Sequence, residues 1–224
     1  MNVRHVLITA CSLLLATSVA ALPLTGFGQG TIHFPYQQWP IGDFQGQFDA
    51  EGPAGGAGNF ISPGYDQGAG GVAGDLPEGG ATLVAYGAAR NPDDSLDLLV
   101  LVVHTATDTL VPGTSYEVSV EDPVCQVWFL DDVTGITLPD DLTQVDWEDL
   151  VGAVEAAHKF VAYSGEVRLN VLDATQVEGA ISGRMFDLND TLLMIQTETG
   201  TFHLDAAFTG NRALGMGELK LLYR

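Results

Sequence analysis

The chain has 224 residues, with 29 acidic against 8 basic for a formal charge of −21, and is 46% hydrophobic and 17% charged. That is enough apolar material for one packed core, since folding at this size buries about 70% of the unfolded surface, and it excludes disorder throughout. The acidic balance lacks the basic surface that nucleic-acid binding needs and disfavours docking on anionic lipid, and two cysteines do not make a disulfide framework.

The N-terminus carries a targeting pattern. Arg4 and His5 precede an apolar run from Val6 to Val19, followed by Ala20, Ala21 and Pro23. This predicts a secretory signal peptide over residues 1–21, cleaved near Ala20 or Ala21. A helix that crosses a membrane needs roughly 20 apolar residues, and this run has 14. No later stretch is apolar enough to span, so the mature chain is expected to be exported, periplasmic or extracellular, without an integral span. The alternative is a lipid anchor at Cys11, because Ile8-Thr9-Ala10-Cys11 has the form of a lipobox. Against it, most of the apolar run follows Cys11 rather than precedes it. Cleavage leaves Cys125 as the one cysteine. Alternation in Val124–Phe129 puts Cys125 on one face with Val127 and Phe129, which reads as a small buried apolar residue.

Residues 22–80 form a Gly- and aromatic-rich segment. Residues 26–81 hold 16 of the 27 glycines, too costly in backbone entropy for helix. They also hold Phe27, Phe34, Tyr36, Trp39, Phe44, Phe48, Phe60 and Tyr65, which a plain flexible linker would not carry. The expectation is one or two strands, over Thr31–Tyr36 and Asp43–Asp49, then a long irregular loop to about Glu78. The aromatics have two uses: packing back onto the main core, the favoured reading, or a surface row of Tyr36, Trp39 and Phe44 that stacks on sugar rings.

From residue 81 to 224 the chain reads as an antiparallel β domain. Strands are expected over Thr82–Tyr86, Leu96–His104, Ser115–Val120, Val124–Leu130, Phe160–Leu172, Gln176–Leu188, Thr191–Thr197, Gly200–Phe208 and Glu218–Tyr223. Leu96–His104 is almost wholly apolar, which predicts a strand covered on both faces. Elsewhere the period is two: Val167 and Leu169, Ile181 and Met185, and Phe202 and Leu204 mark buried faces. Turn residues such as Asn91-Pro92-Asp93-Asp94 and Asp173-Ala174-Thr175 make short antiparallel connections. One segment breaks the pattern. Trp147, Leu150 and Val154 recur at helical spacing behind Asp146, an N-cap type, so one short helix is expected near 147–158. The fold class is therefore all-β, an antiparallel sandwich or up-and-down barrel of about eight to ten strands.

The order of motifs then adds a resemblance. Pro112-Gly113-Thr114-Ser115-Tyr116, Ser164-Gly165-Glu166-Val167, Val177-Glu178-Gly179-Ala180-Ile181-Ser182-Gly183 and Gly200-Thr201-Phe202 resemble the small exported β-rich proteins of bacteria that form families of unknown function, often lipoproteins. Ile181 stands where those proteins usually carry an aromatic. The resemblance implies a fold class and an envelope location, and no activity.

Catalytic patterns are scarce. There is no G-x-S-x-G, no H-E-x-x-H and no phosphate-cradling glycine loop, and His33, His104, His158 and His203 have no ligand spacing. Asp187 to Glu198 mimics the offsets of a calcium loop, but Leu192 stands where glycine is required. Calcium remains the cofactor to test, with clustered loop acids as its ligands: Asp93, Asp94 and Asp97, or Asp131 and Asp132 with Asp140 and Asp141. The bland reading of these acids is solubility. The functional expectation is an exported non-enzymatic protein with a structural or binding role and no resident cofactor beyond calcium. The alternatives are a barrel that binds a small apolar ligand and a carbohydrate-binding module or enzyme.

Overall fold

The computed structural model describes residues 22–206 apart from 41, 43, 57, 120–123 and 140. The expected signal peptide with Cys11, the strand expected over Glu218–Tyr223 and the candidate Asp140 lie outside the described residues.

Among the described residues eleven strands and one helix follow in chain order: β1 (Thr25–Phe27), β2 (Gln29–Gln38), β3 (Gln45–Pro53), β4 (Gln67–Asp75), β5 (Ala81–Arg90), β6 (Leu96–Thr105), β7 (Ser115–Glu117), β8 (Cys125–Val133), α1 (Trp147–Ala153), β9 (His158–Leu172), β10 (Gln176–Asp187) and β11 (Met194–Asp205). Neighbours run β4-β3-β2-β11-β10-β9-β8-β6-β5, and β5 pairs β4 to close a barrel. The short strands β1 and β7 add to β4 and β9. The all-β barrel with one short helix is as expected. It is mixed rather than purely up-and-down, because β3 and β4 meet in parallel at Pro53 and Ala69.

The Gly-rich segment corrects one expectation. It supplies four strands, and Gln67–Asp75, read from sequence as loop, is β4. Glycine belongs there for a steric reason. A Cβ at Gly71 would run into the carbonyl oxygen of Val84 on β5. The two strands reach their close spacing because one of them carries no side chain at this point.

Two apolar layers sandwich the barrel wall. Inside lie Phe34, Phe48, Leu83, Leu101, Phe129, Phe160, Leu169, Met185 and Phe202. Outside β5, β6 and β8 lies a second cluster that includes Tyr86, Leu98, Val100, Trp128 and Leu130. It is covered by Phe60 and Ile61 and by Trp147 and Val151 of α1. That is why β6 has no polar face: alternate residues enter different cores. The helix is shorter than expected. Asp146 caps it, its carboxylate accepting from Asp149 N–H at 3.1 Å. It stops at Val154, and Glu155 then bridges back to Thr134.

The two strands expected over Thr191–Thr197 and Gly200–Phe208 are one strand, β11. Its register against β2 shifts between Gln196 and Thr201. The shift falls beside Pro35, which has no N–H to give, so a bulge sits where the ladder could not be completed.

Cys125 lies in the inner core. Burial pushes its thiol up to about 12, and the thiolate is the reactive form. We expect no reaction with a thiol reagent in the native protein at pH 8 and full reaction in denaturant. Rapid native labelling would refute the buried placement.

Candidate functional site at the mouth of the barrel

The site follows from alternation carried one step past the apolar interior. On β6, Leu99, Leu101 and Val103 point inward, and Asp97 continues that set at the strand end. Cys125, Val127 and Phe129 do the same on β8 and lead to Asp131. Phe160 on β9 is preceded by His158, and Met185 on β10 is followed by Asp187. Phe34 on β2 is followed by Tyr36. Five neighbouring or facing strands thus place a polar cap over one end of the interior.

Asp97, Asp131 and Asp132 each bring a carboxylate oxygen within 4.8 Å of the others. The Asn91 side-chain amide donates to Asp97 Oδ1 and Asp132 Oδ1, both at 2.8 Å. The Asp132 N–H donates to Asp97 Oδ1 at 3.1 Å. Asp132 adopts φ +52°, a left-handed conformation that aspartate tolerates better than most residues. No lysine or arginine among the described residues forms an ion pair with these three. Burial, the Asp97 charge and hydrogen bond, and the Asp132 charge push the Asp131 carboxyl up to about 6, against a smaller opposing pull from His158. Burial first, then the Asp131 and Asp97 charges, also raise the Tyr36 hydroxyl.

Beside this group His158 Nδ1 meets Asp187 Oδ2 at 2.7 Å. Asp187 is fully buried. Burial alone would raise its carboxyl, but the His158 contact and the N–H groups of Lys159 and Asn189, each at 2.9 Å, outweigh it and hold the group low.

The structure regroups the acids singled out in the sequence. Asp97 joins Asp131 and Asp132 from the second loop. Asp93 turns instead to Ser95, accepting from its N–H at 3.1 Å and its hydroxyl at 2.7 Å. Asp94 is exposed and faces Arg90 at 3.7 Å. Asp141 serves its own turn, accepting from Thr143. The sequence marks Asn91 only as a turn residue, His158 only as a histidine without ligand spacing, and Asp187 only as the first position of a calcium-loop mimic. Only Asp187 carried a usable signal, the inward period of β10.

Tyr36, Trp39 and Phe44 do not form an exposed row. The Tyr36 ring lies 5.3 Å from the core ring of Phe129. Trp39 is half-buried, with the Arg184 guanidinium 4.3 Å above its ring. Phe44 is exposed and tilts against Tyr36 at 5.7 Å. Outside the barrel, an open cleft of about 390 Å³ runs between Phe60, Ile61, Arg90, Leu96 and Ile136. No helix of the described residues is long and apolar enough to cross a membrane. No family model, curated protein or solved structure matches this chain.

Proposed function

We propose that the chain is an exported, non-enzymatic β-barrel protein of the envelope or extracellular space, with a structural or binding role. The observation that carries this reading is the filled interior. Phe129 sits against Phe34, Phe48 and Phe160 at 5.8, 5.6 and 6.1 Å. Barrels that hold a ligand keep that space open. Here the chain's own rings occupy it, so binding falls to the mouth and the outer surface. The apolar N-terminal run and the high acidic charge support export and a well-solvated surface. Calcium is the cofactor that suits a set of oxygen donors without a base, and Asp97, Asp131 and Asp132 are the residues that would hold it.

Native mass spectrometry on protein recovered from a secreting host tests the reading. We expect a chain that starts at Ala21 or Leu22 and carries no organic adduct. A calcium adduct removed by chelator, and absent from Asp97→Asn, would place the ion at the mouth. An organic mass released only on denaturation would overturn the proposal in favour of the ligand barrel. A diacyl addition on Cys11 would overturn the unanchored form.

A further inference from the structure

The barrel closes at a single point beside β3, and that leaves a sheet edge. Strand β3 pairs β2 along its whole length, from Gln45 opposite Gln37 to Pro53 opposite Gln29. On its other side its only ladder pairing with β4 is at Pro53, opposite Ala69. The direction of the remaining backbone groups follows from one proline. Residues facing each other in an antiparallel ladder exchange both hydrogen bonds or neither. Gln47 faces Pro35, which cannot donate. The ladder agrees: Gln38 N–H donates to the Phe44 carbonyl at 2.8 Å and Ala54 N–H to the Gly28 carbonyl at 2.9 Å, and alternation from these bonded pairs makes Pro35–Gln47 a non-bonded one, so the N–H and C=O of Gln47 point away from β2. By alternation so do those of Gln45, Asp49 and Glu51. Glu51 bears this out, since its N–H donates across the seam to the side-chain oxygen of Gln67 at 3.3 Å. Gln45, Gln47 and Asp49 have no partner strand on that side among the described residues.

The side chains along this edge have a definite character. Gln45, Gln47, Asp49 and Glu51 are all exposed on the outer face, while Phe48 and Ala50 turn into the core. Phe44, 46% exposed, stands at the start of the edge, and Tyr65, 52% exposed, flanks its far end beside Gly52. Among the described residues these are the two aromatics that stand as exposed large hydrophobics. Charged side chains on an edge ordinarily keep copies of a protein from pairing. The sign matters here. Asp49 and Glu51 would face like charges in a second copy of a chain with net charge −21, and like charges directly across a ladder are unfavourable. Asp49 already meets His33 Nδ1 at 2.6 Å and accepts from the Gln47 side-chain amide, so Glu51 is the more open of the two, and together they would favour lysine or arginine at alternate positions of an incoming strand.

We propose that the free edge of β3 receives an extended segment of a partner protein with basic side chains at alternate positions, main-chain bonds supplying affinity and the two carboxylates choosing the partner. This deepens the binding role proposed above and rests on it, but it does not involve the acidic mouth.

The test is fluorescence anisotropy on the mature chain with an eight-residue peptide that alternates valine and lysine. A valine–glutamate peptide is the control. We expect saturable binding of the lysine peptide, weakened at least about tenfold by Gln47→Pro, which removes an N–H that β2 does not use. The double variant Asp49→Lys, Glu51→Lys leaves the backbone edge intact and should exchange the preference, binding the glutamate peptide instead. Equal binding by wild type and Gln47→Pro would mean attraction to net charge alone and overturn the proposal. Binding that appears only after deletion of residues 207–224 would overturn it in favour of the chain's own C-terminal segment. A dimer dissolved by Gln47→Pro would overturn it in favour of a second copy. No peptide binding, alongside the exported and adduct-free mass expected above, would sink the edge proposal while the reading of the chain as a whole stood.

Discussion

Phe129→Ala is expected to destabilise the protein by about 3–5 kcal/mol, the usual cost of removing a buried aromatic ring. The side chain is 2% exposed and meets four other rings, those of Tyr36, Phe48, Phe34 and Phe160. Three of those rings stand on β2 and β3, which are not ladder neighbours of β8. Phe129 therefore ties opposite walls of the barrel together through side chains alone. Aromatic pairs add roughly 0.5–1.5 kcal/mol beyond burial, so the upper half of the range is the better guide. A cavity left at the centre cannot collapse easily, because the ladders around it hold their register. Urea unfolding would show a lower midpoint at unchanged slope. Phe129→Leu should cost far less, and Phe44→Ala, at an exposed ring, should stay within about 0.5 kcal/mol. A loss below about 1 kcal/mol for Phe129→Ala would mean a loose interior. It would count against the filled barrel on which the functional proposal stands.

What the sequence revealed and what it hid have the same cause. Period-two alternation shows itself wherever a strand has one core face and one wet face. Val167 and Leu169, Ile181 and Met185, and Phe202 and Leu204 all lie in the inner core as that pattern implies. The unbroken apolar run of β6 gave the two-sided burial seen between the inner and outer clusters. The capping position at Asp146 is a local signal and was legible for that reason. Strand β4 was not, because a run such as Gln67-Gly68-Ala69-Gly70-Gly71 has too little side chain to alternate. Its state is decided by β1 and β5 on either side. The mouth was half legible. Asp97, Asp131 and Asp132 stood out as acids, but which loop met which depended on the β6–β8 register. The opposition of Asp131 to His158 depended on the β8–β9 register. The edge of β3 that is open among the described residues was beyond sequence reading, since it depends on β4 joining β3 only at Pro53 and Ala69.

Asp131→Asn should stabilise the protein at pH 8 and leave it nearly unchanged at pH 4. The folded carboxyl is held up to about 6 by burial and by the Asp97 and Asp132 charges, whereas an unfolded aspartate titrates near 3.9. The folded state thus binds more protons than the unfolded state between those values, and stability falls as pH rises through that window. Below about pH 4 both states are protonated and nothing is lost. Above about pH 7 both are ionised, and the folded state carries the full repulsion of neighbouring carboxylates. Because the carboxyl is only half-buried, water screens much of that repulsion, and the expected gain is about 1 kcal/mol. Asparagine keeps the shape, and its amide can donate to the Asp97 carboxylate. Unfolding midpoints at pH 4, 6 and 8 would show the wild type losing stability over this range relative to the variant. Calcium makes the same residue diagnostic in the opposite direction. Its ligands must be deprotonated, so an ion at the mouth should stabilise the wild type increasingly as pH rises through 6 and should do little for Asp131→Asn. Equal pH profiles in wild type and variant would show that Asp131 does not feel Asp97 and Asp132. The mouth would then be three separate surface acids, with no reason to gather a cation.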